Sequence, residues 1–154
     1  MFNPDSTIDN RILDDIHSCT CFSLRKASRA VSQYFDKMLA PTGLKSTQVS
    51  MMAIIALNKT STFAHLSDAM VMDRSTLTRN VRPLIRKEYL QVDRGTDKRV
   101  RLLSLTPKGT ETLSQALPLW EEAQAIMVMG LKEQPWINLL DTLEETIKIA
   151  SENK

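Results

Sequence analysis

"DRSTLTRNVRPLIRKEYLQVDRGTDKRVRLLSLT", residues 73–106, is the stretch on which the fold turns. At about 100° per residue from Leu77, the side chains of Val81, Leu84 and Ile85 share one face. Ser75, Arg79, Arg82 and Arg86 fall on the opposite face. Asp73 is a good N-cap, and Ser75, Thr76 and Thr78 lie in the first turns. The pattern predicts a helix over 74–88 that buries an apolar stripe and turns its arginines outward. Pro83, on the outer side, removes one backbone donor and is expected to kink the last turn. "YLQVDR" and "VRLLSLT" follow as two short β-type segments, joined by a turn at Gly95-Thr96-Asp97. A glycine-containing link of this kind predicts a hairpin.

Charge concentrates on this stretch. Between Arg74 and Arg101 stand nine basic residues against three acidic ones, Glu88, Asp93 and Asp97, a net +6 in a chain whose total is +2. Such a cluster is the electrostatic footprint of a nucleic-acid face, unless it is only a solvated helix surface. The outward alignment of the arginines and the adjoining hairpin favour the first reading. Aromatic residues make up only 5% of the 154-residue chain, so a base-stacking sheet of the RNA-binding type is disfavoured. No apolar run is long enough to span a bilayer, and the first residues do not read as a signal peptide. With two cysteines and no disulfide scaffold, the expected location is cytoplasmic.

Upstream, residues 1–16 are polar and are expected to be flexible. From His17, apolar positions Cys21, Leu24, Ala27, Val31, Phe35 and Met38 recur at three- and four-residue steps, predicting a long amphipathic helix closed by Pro41 and Gly43. A nearly buried helix is expected over 47–58, capped by Ser46 or Thr47, and a short one in "STFAHLSDAM", capped by Ser61 or Thr62. Downstream, Thr106 caps a helix with Pro107 at its first position, running to about Gly130 with a bend at Pro118. A final helix is expected from Gln134 to Ser151, carrying Trp136, Leu139, Leu140, Leu143 and Ile147.

The expected fold class is therefore mainly α with a small β-hairpin: a winged helix-turn-helix at about 45–106, plus terminal helices at about 17–40 and 107–151. In that fold the third helix of the trio enters a DNA major groove. The apolar terminal helices are economically buried against a second copy, since a two-fold dimer presents two reading heads.

"LSDAMVMDRSTLTRNVRPLIRKEYLQVDRGTDKRVRLLSLTPKG" resembles the core of the MarR family of bacterial transcription regulators. The resemblance rests on Leu66 and Ala69, the run Asp73 to Arg79, the Asp97/Arg99 pair of the basic wing, and Leu105-Thr106 with Gly109. It extends to the turn at Gly43-Leu44 followed by Thr47-Gln48, and makes residues 17–154 a single unit of that type. The wing is shorter than the family's common pattern, with Gly95 in place of a longer acidic turn. The resemblance implies a homodimer with interlocked first and last helices. It also implies a reading helix in the major groove and a wing arginine in the minor groove. Carried onto this chain, Arg74, Ser75, Thr76, Thr78 and Arg79 are the candidate groove and phosphate contacts. Arg99 is the candidate wing-tip arginine, braced by Asp97 and supported on the phosphate side by Arg94, Lys98 and Arg101; Arg82 joins the outward arginine face.

"HSCTC" places His17, Cys19 and Cys21 at alternate positions, with three readings open. Cys21 belongs to the apolar stripe beside a partly exposed Cys19, or the pair senses oxidants, or it binds a metal. The last lacks a second ligand pair, so no metal or other cofactor is expected. His65 reads as a surface or satisfied core histidine, and the eight methionines as core filler. Nothing suggests an enzyme: no Ser/His/Asp arrangement, phosphate-cradling loop or metal motif is present. The function expected is a homodimeric, sequence-specific repressor on a palindromic operator in double-stranded DNA. Release would follow from a small-molecule effector or thiol oxidation, the effector lying between the dimer helices and the reading unit. The competing readings are a winged-helix protein–protein module and, further off, a thiol enzyme.

Overall fold

The computed structural model describes residues 15–95 and 99–152. A 3-10 turn over Asp15–Ser18 leads into α1 (Thr20–Leu39), then α2 (Ser46–Asn58), β1 (Ser61–Thr62), α3 (Phe63–Ala69) and α4 (Arg74–Arg86). The strands β2 (Leu90–Arg94) and β3 (Arg101–Leu105) precede α5 (Pro107–Leu131) and α6 (Glu133–Glu152). The small sheet has three strands rather than the two of the expected hairpin. β3 is central, pairing antiparallel with β2 from Leu90↔Leu105 to Arg94↔Arg101, and with β1 at Ser61↔Leu103 and Thr62↔Leu102.

The core forms where the apolar stripes converge. Met51, Met52 and Ile55 of α2, Leu66 of α3, Leu77, Val81 and Leu84 of α4, and Leu103 of β3 are buried together. Two devices tie α5 to this unit. The Thr106 hydroxyl donates to the Glu88 carbonyl at 2.6 Å and accepts from Gly109 N at 2.9 Å, so one side chain both caps α5 and pins it to the start of β2. Gly109 is buried so close to Tyr89 that a Cβ would run into the Tyr89 carbonyl. The Thr-x-x-Gly spacing therefore has a packing cause.

Several expectations need correction. The long helix begins at Thr20, with His17 in the preceding 3-10 turn and Cys19 at the N-cap. Its early stripe is uncovered within one chain: Cys21 and Val31 are exposed, and burial starts at Phe35. The N-cap of α2 is Lys45, not Ser46 or Thr47; Ser46 N instead donates to Asp36 Oδ1 at 2.7 Å, joining α2 to α1. Burial opposes the ionised form of Asp36, but the bonds from Ser46 and Lys45 outweigh it and hold the carboxyl below its usual range. The helix expected over 74–88, α4, stops at Arg86, and Glu88 adopts a positive φ of 60°. Pro83 lies half-buried inside it. Pro118 does not interrupt α5, which runs unbroken for 25 residues. It sits on an exposed face, where water can serve the carbonyl it leaves without a donor.

Candidate functional site

Asp73 starts the site. Its Oδ1 accepts from Ser75 N and Thr76 N, both at 2.9 Å, so the first turn of α4 is capped as its sequence predicts. The same carboxylate takes the Ser75 and Thr76 hydroxyls, each at 2.6 Å. Those two side-chain bonds, with the backbone bonds beside them, hold the Asp73 carboxyl well below the usual carboxylate range. It stays ionised wherever the protein is folded at ordinary pH. Thr78 Oγ1 donates back to the Arg74 carbonyl at 2.7 Å, and Arg79 Nη2 donates to Thr76 Oγ1 at 3.1 Å.

Because Leu77, Val81 and Leu84 are locked in the core, the opposite face of α4 must look outward. Arg74, Ser75, Thr78, Arg79 and Arg82 line one open cleft of about 560 Å³. A second, of about 700 Å³, lies between α3, α4 and the wing, where Arg74 and Thr78 meet Arg99 and Arg101. The two share Arg74 and Thr78, so helix and wing arginines form one cationic surface. Thr76 and Arg94 line neither cleft. Arg94 instead stands opposite Arg101 in the β2–β3 register. Like charges across a strand pair repel, and an approaching polyanion relieves that repulsion. The candidates Asp97 and Lys98 lie outside the described residues.

The second cleft also takes in Thr62, Phe63 and Ser67, which sequence reasoning missed. They arrive there because the two-residue β1 pairs with β3 and brings the start of α3 against the wing. A strand so short leaves no periodicity to read; the N-cap signal at Thr62, which accepts from His65 N at 3.0 Å, was the available hint. Neither cleft lies between the terminal helices and the reading unit, where the effector was expected. Both cysteines are exposed. Among the described residues no group of three His, Cys, Asp or Glu side chains is placed to hold a metal ion, and no helix is long and apolar enough to cross a membrane.

No family model matches the chain, and no curated protein matches it. Solved structures do. A transcriptional regulator of M. tuberculosis, MosR, crystallised in complex with DNA, is 33% identical, with a TM-score of 0.76 over 86% of this chain and 98% of its own. The chain belongs to the MarR family of transcriptional regulators. Mutant MarR from E. coli complexed with operator DNA shares the fold at 19% identity, with a TM-score of 0.76 over 92% of this chain and 99% of that one. BpsR of Bordetella bronchiseptica, whose DNA binding is regulated by 6-hydroxynicotinic acid, matches at 19% identity and a TM-score of 0.75, over 83% of this chain and 92% of its own. MarR-family proteins are regulators rather than enzymes, and the three-stranded sheet on a mainly helical body is their winged-helix fold.

Proposed function

We propose that this MarR-family chain is a sequence-specific, double-stranded DNA-binding repressor that works as a homodimer on a palindromic operator. The observation that carries the reading is the continuous arginine surface of α4 and the wing, Arg74, Arg79 and Arg82 running into Arg99 and Arg101. Guanidinium groups serve both guanine edges and phosphates, and an arginine-tipped wing suits the negative potential of a narrow minor groove. The DNA complex of the M. tuberculosis relative supports the same assignment.

Pairing of two copies is supported by the terminal helices. α6 has no buried residue, although Ile137, Leu139, Leu140 and Ile147 line its length, and Trp120 and Met129 of α5 are 39% and 71% exposed. So much uncovered apolar surface on adjoining helices is what a partner covers. α1 carries Arg25, Lys26 and Arg29 while α6 carries Asp141, Glu144 and Glu145, so the two are complementary in charge. Release of DNA is assigned to an effector or to oxidation of Cys19 and Cys21, which are exposed at the N-terminal end of α1. Either would act by changing the separation of the two reading heads.

Selection of bound duplexes from a random pool, with and without peroxide, followed by salt titration of the winner, tests this reading. A palindromic consensus, a steep loss of affinity with salt, and an oxidant response removed in Cys19→Ser or Cys21→Ser are expected. Absence of duplex binding at low salt sinks it in favour of a protein–protein module.

A further inference from the structure

The hydroxyls of Ser75, Thr76 and Thr78 at the start of α4 are engaged as donors within the helix itself. An ionised carboxylate only accepts, and a hydroxyl has a single proton to give. Asp73 Oδ1 takes two backbone N–H groups and the Ser75 hydroxyl, while Oδ2 takes the Thr76 hydroxyl. Thr78 gives its proton to the Arg74 carbonyl. All three hydroxyl protons are thus spent inside the helix. What these oxygens offer outward is lone pairs, which repel phosphate. The Thr76 lone pair is used at once, by Arg79 Nη2 at 3.1 Å. Asp73, Thr76 and Arg79 therefore form a relay of fixed polarity along one edge of the helix, three residues to a step. Of the bonds to Asp73, Oδ1 accepts three and Oδ2 one, and Arg79 Nη2 is bonded to Thr76 rather than to the carboxylate itself. An exposed negative charge on a cationic reading face opposes DNA binding unless it does something else there.

We infer that Asp73 is a positioning residue for sequence reading: by accepting the Thr76 hydroxyl it fixes the Thr76 lone pairs toward Arg79, and so aims the Arg79 guanidinium at one base pair. This rests on the duplex-reading proposal. The discriminating variant is Asp73→Asn. Asparagine is an equally good N-cap, but its amide donates where Oδ2 accepted, and so competes with Arg79 for the Thr76 oxygen. Thr76→Val removes that oxygen while keeping the side-chain shape.

The full-length protein, its Asp73→Asn, Thr76→Val and Arg79→Ala forms are titrated against the selected duplex and all its single base-pair variants. Thermal midpoint and salt slope are measured alongside. All three variants are expected to flatten the preference at the same base pair, by roughly fivefold or more. Asp73→Asn is expected to lower the midpoint less than Asp73→Ala does and to keep the wild-type salt slope, so that a loss confined to one base pair is not explained by capping alone. An Asp73→Asn profile identical to wild type, or a loss spread evenly over every duplex, overturns the positioning role and leaves the DNA reading standing. A wild-type protein that prefers no duplex overturns both, and that result is in hand before any variant is measured.

Discussion

Single side chains on the α4 and wing surface differ in what they do. Arg99 and Arg101 line the same cleft as Arg74, so Arg99→Ala should weaken binding to the selected operator by about 1 kcal/mol or more while the protein stays folded. Filter binding and calorimetry check this; unchanged affinity would mean an idle wing. Asp73 makes a second, pH-dependent contribution. Its folded-state pKa is depressed, so the stability it adds is complete above the unfolded value and fades as pH falls through the folded one. The midpoint gap between wild type and Asp73→Ala should therefore be widest near neutrality and narrow below about pH 4. A gap that does not change with pH would contradict the hydrogen-bond pattern at the cap. Gly109 is a packing position: Gly109→Ala puts a methyl into the Tyr89 carbonyl and should destabilise by about 1–3 kcal/mol in urea unfolding.

Among the elements, the turn between α3 and α4 carries backbone strain. Val71 holds φ at 50°, a region unfavourable for a β-branched residue, and is 56% exposed, so little packing secures it there. Val71→Asn should stabilise by about 1 kcal/mol, read as a raised denaturation midpoint. Such strain was invisible in the sequence, whereas α4 itself was plain, because the spacing of Leu77, Val81 and Leu84 and the Asp73 cap are both local signals. The wing strands were legible for the same reason. Elements defined by distant partners were not. β1 exists only through its pairing with β3, and Lys45 caps α2 while Ser46 is drawn off to Asp36 on another helix. The candidate arginines were recognisable from the outward face of one helix, but their union with Arg99 and Arg101, and the recruitment of Thr62 and Ser67, depend on how the sheet folds the wing back. Spent hydroxyls at Ser75, Thr76 and Thr78 likewise follow from rotamers that composition does not record.

For the whole molecule, the exposed apolar face of α6 makes a prediction about assembly. Leu140→Glu should convert the proposed dimer to monomer in light scattering, with circular dichroism retaining a folded winged unit. Operator affinity should fall with it, since one reading head is lost. A dimer that survives the charge would place the pairing surface elsewhere. The unbroken α5 then acquires a mechanical meaning. It is clamped to the winged unit at Glu88 and Tyr89 and enters the uncovered apolar region at its far end, 25 residues on. At the usual helical rise that is a rod of roughly 37 Å, helical through Pro118. Each degree of tilt at the pairing end then swings the reading head by about 0.6 Å along such a lever. In the proposed dimer, tilts of a few degrees would move each α4 by roughly 2 Å against its groove, enough to lengthen the hydrogen bonds made there.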